Sequence, residues 1–155
     1  MPYHTPERKT EQALKLYFET VLGYELEDVQ ITTRFSNTEM TEPRIEIYCP
    51  ACRPWDEVSS PYSGNWAVDC VLKVVTHYEP SVDDEAHDNI AGNLLDNLMV
   101  VDGDGNEATA SEINATQDES DFTVIVVDIG ERTNEVEEHS LVTQQALTLY
   151  IQPSR

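Results

Sequence analysis

GNWAVDCVLKVVTHYEPSVDDEAHDNIAGNLLDNLM, residues 64–99, decides how this chain is built. Trp66, Val68, Cys70, Leu72, Val74, Thr76 and Tyr78 recur at period two. Ala67, Asp69, Val71, Lys73, Val75 and His77, mixed and partly polar, alternate with them. That alternation predicts a long strand with one face in a core. Glu79-Pro80 breaks it, because proline cannot donate to a ladder. Ser81 with Asp84 three residues on reads as a helix cap and its box partner, and Asp83, Asp84 and Glu85 suit the first turn of a helix. Ala86, Ile90, Leu94 and Leu98 then repeat every fourth residue, widened by Ala91, Leu95 and Met99. A strand and a helix, each with one apolar face, are expected to pack together.

Upstream, Thr5, Pro6 and Glu7 open a first helix whose stripe is Ala13, Leu14, Tyr17, Phe18, Val21 and Leu22, with Gly23 placed to end it. Arg8, Lys9 and Lys15 form the only basic cluster, a candidate docking surface for an acidic neighbour. Val29, Ile31, Thr33 and Phe35 alternate, as do Ile45, Ile47 and Cys49, across the polar stretch Ser36–Arg44. This predicts a hairpin with a long tip. Cys49–Gly64, with Pro50, Pro54 and Pro61, reads as a long loop carrying Arg53 and Trp55, residue types favoured at protein interfaces.

Cys49-Pro-Ala-Cys52 matches C-x-x-C, the pattern of half a zinc site or a redox dithiol. Zinc requires four ligands, and Cys70 sits among core positions while His4, His77, His87 and His139 are scattered. A redox dithiol belongs at the start of a helix, yet Pro54 and polar residues follow. An incidental or interface-buried pair is the expectation. Asp102, Asp104 and Asn106 start like a calcium loop, but its sixth and twelfth positions hold Glu107 and Ile113, so a turn is expected.

Residues 107–117 read as a short helix or a surface excursion, too poor in apolar residues to bury much. Phe122 to Ile129, nearly all apolar or β-branched, reads as a strand buried on both sides. The charged turn from Gly130, through Arg132 to Glu137, Glu138 and His139, leads to a last alternating strand from Leu141 to Ile151. The order α-β-β-β-α-β-β predicts an α+β fold: a single domain, 1–155, with a mostly antiparallel sheet, two helices on one face and long hairpin loops.

The chain holds 9 Lys and Arg against 30 Asp and Glu, for a formal net charge of −21. Between Lys73 and Arg132 there is no basic residue, while fifteen carboxylates lie in 74–131. Such a surface repels nucleic acid, whose affinity rests on Lys and Arg neutralising phosphates. Neither a secretory-signal pattern nor an apolar run of about 18 residues occurs, so a soluble chain outside the membrane is expected. There is no nucleophile–base pattern in a recognisable setting and no glycine-rich phosphate loop. A non-enzyme without cofactors is the expectation.

The capped first helix followed by a hairpin resembles the tail-terminator or tail-completion proteins of long-tailed bacteriophages. So do the strand Asn65–Thr76, the helix ending Leu94-Leu-Asp-Asn-Leu-Met99, and the closing pair Phe122–Gly130 and Ala146–Pro153. The likeness spans nearly the whole chain in element order, without a signature motif. It implies a virion structural protein: a hexameric ring that caps the tail tube, joins it to the head connector and lets DNA pass. The loops 49–64 and 130–138, with Arg53, Trp55, Arg132, Glu137 and Glu138, would then contact neighbouring subunits or the tube. A negative lumen would keep DNA from sticking. Two other readings remain open: a monomeric acidic module that binds a basic protein by mimicking DNA, and a small metal or redox protein built on Cys49 and Cys52.

Overall fold

The computed structural model describes residues 5–23, 28–34, 39–55, 65–78, 85–117 and 122–153. Helix α1 spans Pro6–Leu22, and strands β1 Gln30–Thr33, β2 Arg44–Pro54 and β3 Trp66–His77 follow. Helices α2 Glu85–Leu98 and α3 Thr109–Thr116 come next, then strands β4 Phe122–Glu137 and β5 Ser140–Pro153. The class is α+β, and the five strands make one sheet in the order β1-β2-β3-β5-β4.

As expected, β3 turns Val68, Cys70, Leu72, Val74 and Thr76 into the interior. Being central, it also has Ala67 and Val75 buried on its other face. Over the first face lie Leu14, Tyr17, Phe18 and Leu22 of α1, Ile90, Leu94 and Leu98 of α2, and Ile113 of α3, all in one apolar cluster with residues of β2 to β5. The Thr5 hydroxyl accepts from the Arg8 amide at 3.2 Å and caps α1. Gly23 follows its last turn, where a Cβ would lie 2.6 Å from the Glu19 carbonyl oxygen, so a larger residue would force the backbone to shift. Tyr17 donates to the Asn97 carbonyl at 2.6 Å and fastens α1 to the end of α2.

The structure corrects several expectations. First, β1 and β2 are parallel, not a hairpin. The Gln30 side chain donates to the Glu39 carbonyl and accepts from the Thr41 amide, each at 2.9 Å, so the returning chain is held beside the start of β1 and enters β2 in the same direction. The sheet is therefore mixed, with one parallel and three antiparallel pairings.

Second, Cys49 to Pro54 belong to β2 rather than to a loop, while 56–64 lie outside the described residues. Pro50 is tolerated because the register with β3 skips between Tyr48 and Ala51, and β1 pairs only as far as Ile47. Third, there are three helices among the described residues, not two. Residues 109–116 are helical, and Ile113 is fully buried, a burial that contributes about 2 kcal/mol. The Thr109 hydroxyl donates to the Leu98 carbonyl at 2.8 Å and accepts from the Val100 amide at 3.0 Å, seating α3 on the end of α2.

Fourth, β4 is an edge strand, not one buried on both sides: Ile125 and Val126 remain 40% and 42% exposed. Fifth, the charged segment from Gly130 onward is ladder, not turn. Arg132 to Glu137 pair with Gln145 to Ser140, and only Glu138 and His139 form the loop. Finally, within the α2 stripe Ala86 and Met99 are exposed and Leu95 is half-buried, while His87 is buried. The cap expected at Ser81 lies outside the described residues.

Candidate functional site

The sheet register sorts the candidate residues by position along the strands. At one end, Pro54 pairs with Trp66 and Trp66 with Ile151. Trp55 follows directly: its indole donates to the Ile151 carbonyl at 3.2 Å and its ring meets Tyr150 edge-on at 5.3 Å. Arg53 is exposed, with Nη1 2.8 Å from Asp69 Oδ2. The hydrogen bond to Asp69 and its charge hold that guanidinium further into its charged form. Cys52, the residue before Arg53, donates to Glu7 Oε1 at 2.6 Å, so the first turn of α1, which carries Arg8 and Lys9, stands at this same end.

Glu137 and Glu138 lie at the opposite end. Glu137 pairs with Ser140, which in turn pairs with His77 at the far end of β3. The Ser140 hydroxyl donates to Glu42 Oε1 at 2.7 Å, adding a third carboxylate to the group. The twelve residues of β3 separate these ends by about 36 Å. Arg132 belongs to neither. Its Nε donates to Gln145 Oε1 at 3.2 Å and its Nη2 to the Ala91 carbonyl at 3.3 Å, so it ties the sheet to α2. Gln145, nearly fully buried, also donates to the carbonyls of Gly130 and Ala146 at 2.9 Å each.

Cys49 and Cys52 do not converge. Cys49 Sγ lies 2.9 Å from Cys70 Sγ in the interior, whereas Cys52 faces Glu7. The hydrogen bond with Cys70, together with burial, pushes the Cys49 thiol up. Burial, then the bond to Glu7, pushes Cys52 up to about 12. Neither carries the lowered pKa of a fast thiolate nucleophile. Among the described residues no group of three His, Cys, Asp or Glu side chains is arranged to hold a metal.

Sequence reasoning missed two polar features of the interior. Glu11 has a fully buried side chain, with Oε2 2.9 Å from Arg34 Nε. Burial raises its pKa despite the Arg34 amide and guanidinium. His87 bridges two strands: Nδ1 is 2.8 Å from Thr76 Oγ1 and Nε2 is 2.8 Å from Thr143 Oγ1. Thr143 gives its one hydroxyl proton to Asn134 Oδ1 at 2.7 Å, so it accepts from Nε2–H, and Thr76 donates to Nδ1. Glu11 falls beside the apolar stripe of α1, and charge alone conceals its burial. His87 depends on two threonines 67 residues apart, Thr76 and Thr143, which no local pattern links.

A surface depression of about 440 Å³ lies where α2 ends against β4, lined by Met99, Val101, Val127 and Ile129 together with Glu107 and Asp128. Met99 and Val101 are 59% and 65% exposed. No helix among the described residues is long and apolar enough to cross a membrane. No family model matches the chain, and no curated protein matches it.

Proposed function

We propose that this protein is a ring-forming structural subunit of a bacteriophage tail, a terminator or completion protein at the head–tail junction. It caps the tail tube, meets the head connector and lets DNA pass without binding it. One observation carries the reading. Lys9, Arg53 and Trp55 stand at one end of the sheet, and Glu42, Glu137 and Glu138 at the other. Two unlike ends, one carrying Lys9 and the Arg53–Asp69 pair and the other carrying Glu137 and Glu138, suit head-to-tail contact, which generates rings where the rotation closes. Of the elements on which the resemblance rests, the first helix, the long strand with its helix and the closing pair are present, whereas the expected hairpin after the first helix is a parallel pair and α3 is added. The net charge of −21 suits a conduit for a polyanion, since like charge disfavours adhesion.

Native mass by light scattering, at two salt concentrations and with and without candidate tail-tube protein, tests this. A sixfold species, alone or with the tube protein, supports the ring. A chain that stays monomeric throughout overturns it.

A second reading, an acidic module that binds a basic protein, is favoured by the depression beside Met99 and Val101, whose lining includes Glu107 and Asp128. It predicts a monomer whose complex weakens steeply with salt.

A further inference from the structure

The bulge between Tyr48 and Ala51 turns Cys49 into the interior beside Cys70 on the neighbouring strand. Both residues are at most 1% exposed. Their sulfurs are in direct contact, 2.9 Å apart, with no other side chain between them. A covalent S–S bond, about 2.05 Å long, needs only a small approach. The third thiol is engaged elsewhere, since Cys52 donates to Glu7.

We propose that Cys49 and Cys70, rather than the C-x-x-C pair, are a site of oxidative modification that a small peroxide closes into a cross-strand disulfide between β2 and β3. One sulfur attacks a peroxide oxygen: an S–O bond forms, the O–O bond breaks and water leaves. The second sulfur then attacks the sulfenic sulfur, so that the S–S bond forms, the S–O bond breaks and a second water leaves. The two thiol protons end in those waters, two sulfurs are oxidised and one peroxide is reduced.

The bond would close the segment from Cys49 to Cys70, which carries Arg53 and Trp55, and pin β2 on β3 where their register breaks. Closing a loop removes freedom from the unfolded chain, so the oxidised form resists heat better. The raised pKa of Cys49 marks a slow structural lock rather than a thiol-transfer catalyst.

The test uses the folded full chain, treated with dilute hydrogen peroxide, weighed intact, freed of peroxide and then alkylated in denaturant. Digestion after acidic residues cuts at Asp56 and Glu57, separating Cys49 and Cys52 from Cys70. The expected result is an intact mass lower by two hydrogens, a peptide linked through Cys49 and Cys70, and alkylated Cys52. The same link should form in Cys52→Ser, whose oxidised form should melt several degrees above its reduced form. Three alkylated thiols after peroxide, a link between Cys49 and Cys52, a link formed only in denaturant, or a linked form that melts no higher would each overturn the proposal.

Discussion

At the residue scale, two glutamates one turn apart on α1 respond to acid in opposite senses. Burial works against Glu7, but hydrogen bonds from Cys52, its own backbone and Thr5 together lower its pKa below 4.5. Glu7 therefore contributes stability above pH 4.5 that is lost as pH falls through its folded value. Glu11 is raised above 4.5 by burial, so its contribution is full below 4.5 and lost as pH rises through its folded value. Denaturant titrations should show Glu7→Gln losing most against the wild type near neutrality, with the gap closing on acidification. Glu11→Gln should gain relative to the wild type as pH climbs above 4.5; a flat difference would contradict the burial argument. His87→Leu should cost about 1–2 kcal/mol, because it leaves the buried Thr76 hydroxyl without its acceptor while Thr143 keeps its bond to Asn134, and His87→Gln should cost less. Urea midpoints of the two variants check this. None of these roles was legible in sequence: a Glu beside an apolar stripe and a His on a helix have the same local appearance whether solvated or enclosed.

At the element scale, legibility followed periodicity. α1, β3 and the body of α2 carry strong stripes and were found from sequence, because burial of one face leaves a period in the residues. Periodicity carries no strand direction, so β1 and β2 looked like a hairpin until the Gln30 clamp on Glu39 and Thr41 made them parallel. Nor does it report neighbours: Phe122–Ile129 is apolar enough for a central strand but lies at an edge. That edge is managed locally. Asn114 of α3 donates to the Val124 carbonyl at 2.8 Å and accepts from the Val124 amide at 2.9 Å, acting as one residue of a missing strand. Asn114→Ala should therefore cost about 1–2 kcal/mol and leave the Val124 amide without its partner. Hydrogen exchange read residue by residue should show that amide accelerating well beyond its neighbours in β5. Uniform acceleration across the sheet would mean that Asn114 stabilises the fold without guarding the edge.

For the whole molecule, sequence could name candidate residues by type but could not place them relative to one another. Only register says that Arg53 and Glu137 lie at opposite ends of one sheet, or that Arg132 is spent on Gln145 and Ala91. That separation permits a test of head-to-tail assembly that single variants cannot give. Reversing the tip with Glu137→Lys and Glu138→Lys sets basic against basic in every contact. Reversing the other end with Lys9→Glu and Arg53→Glu sets acidic against acidic. The tip residues and Arg53 are exposed and Lys9 is half-buried, so each variant should stay folded as a monomer, the second melting a little lower because it replaces the Arg53–Asp69 pair with two carboxylates. Each variant alone should fail to form the ring. An equal mixture should restore it, because alternating subunits then present a reversed contact and a native one in turn, both of opposite charge. All four changes in one chain should restore it as well. Light scattering on the two variants, their mixture and the combined variant reads the outcome directly. Rings formed by either variant alone would show that these ends do not meet, and a mixture that stays dispersed would separate a general loss of charge balance from a specific contact between the ends.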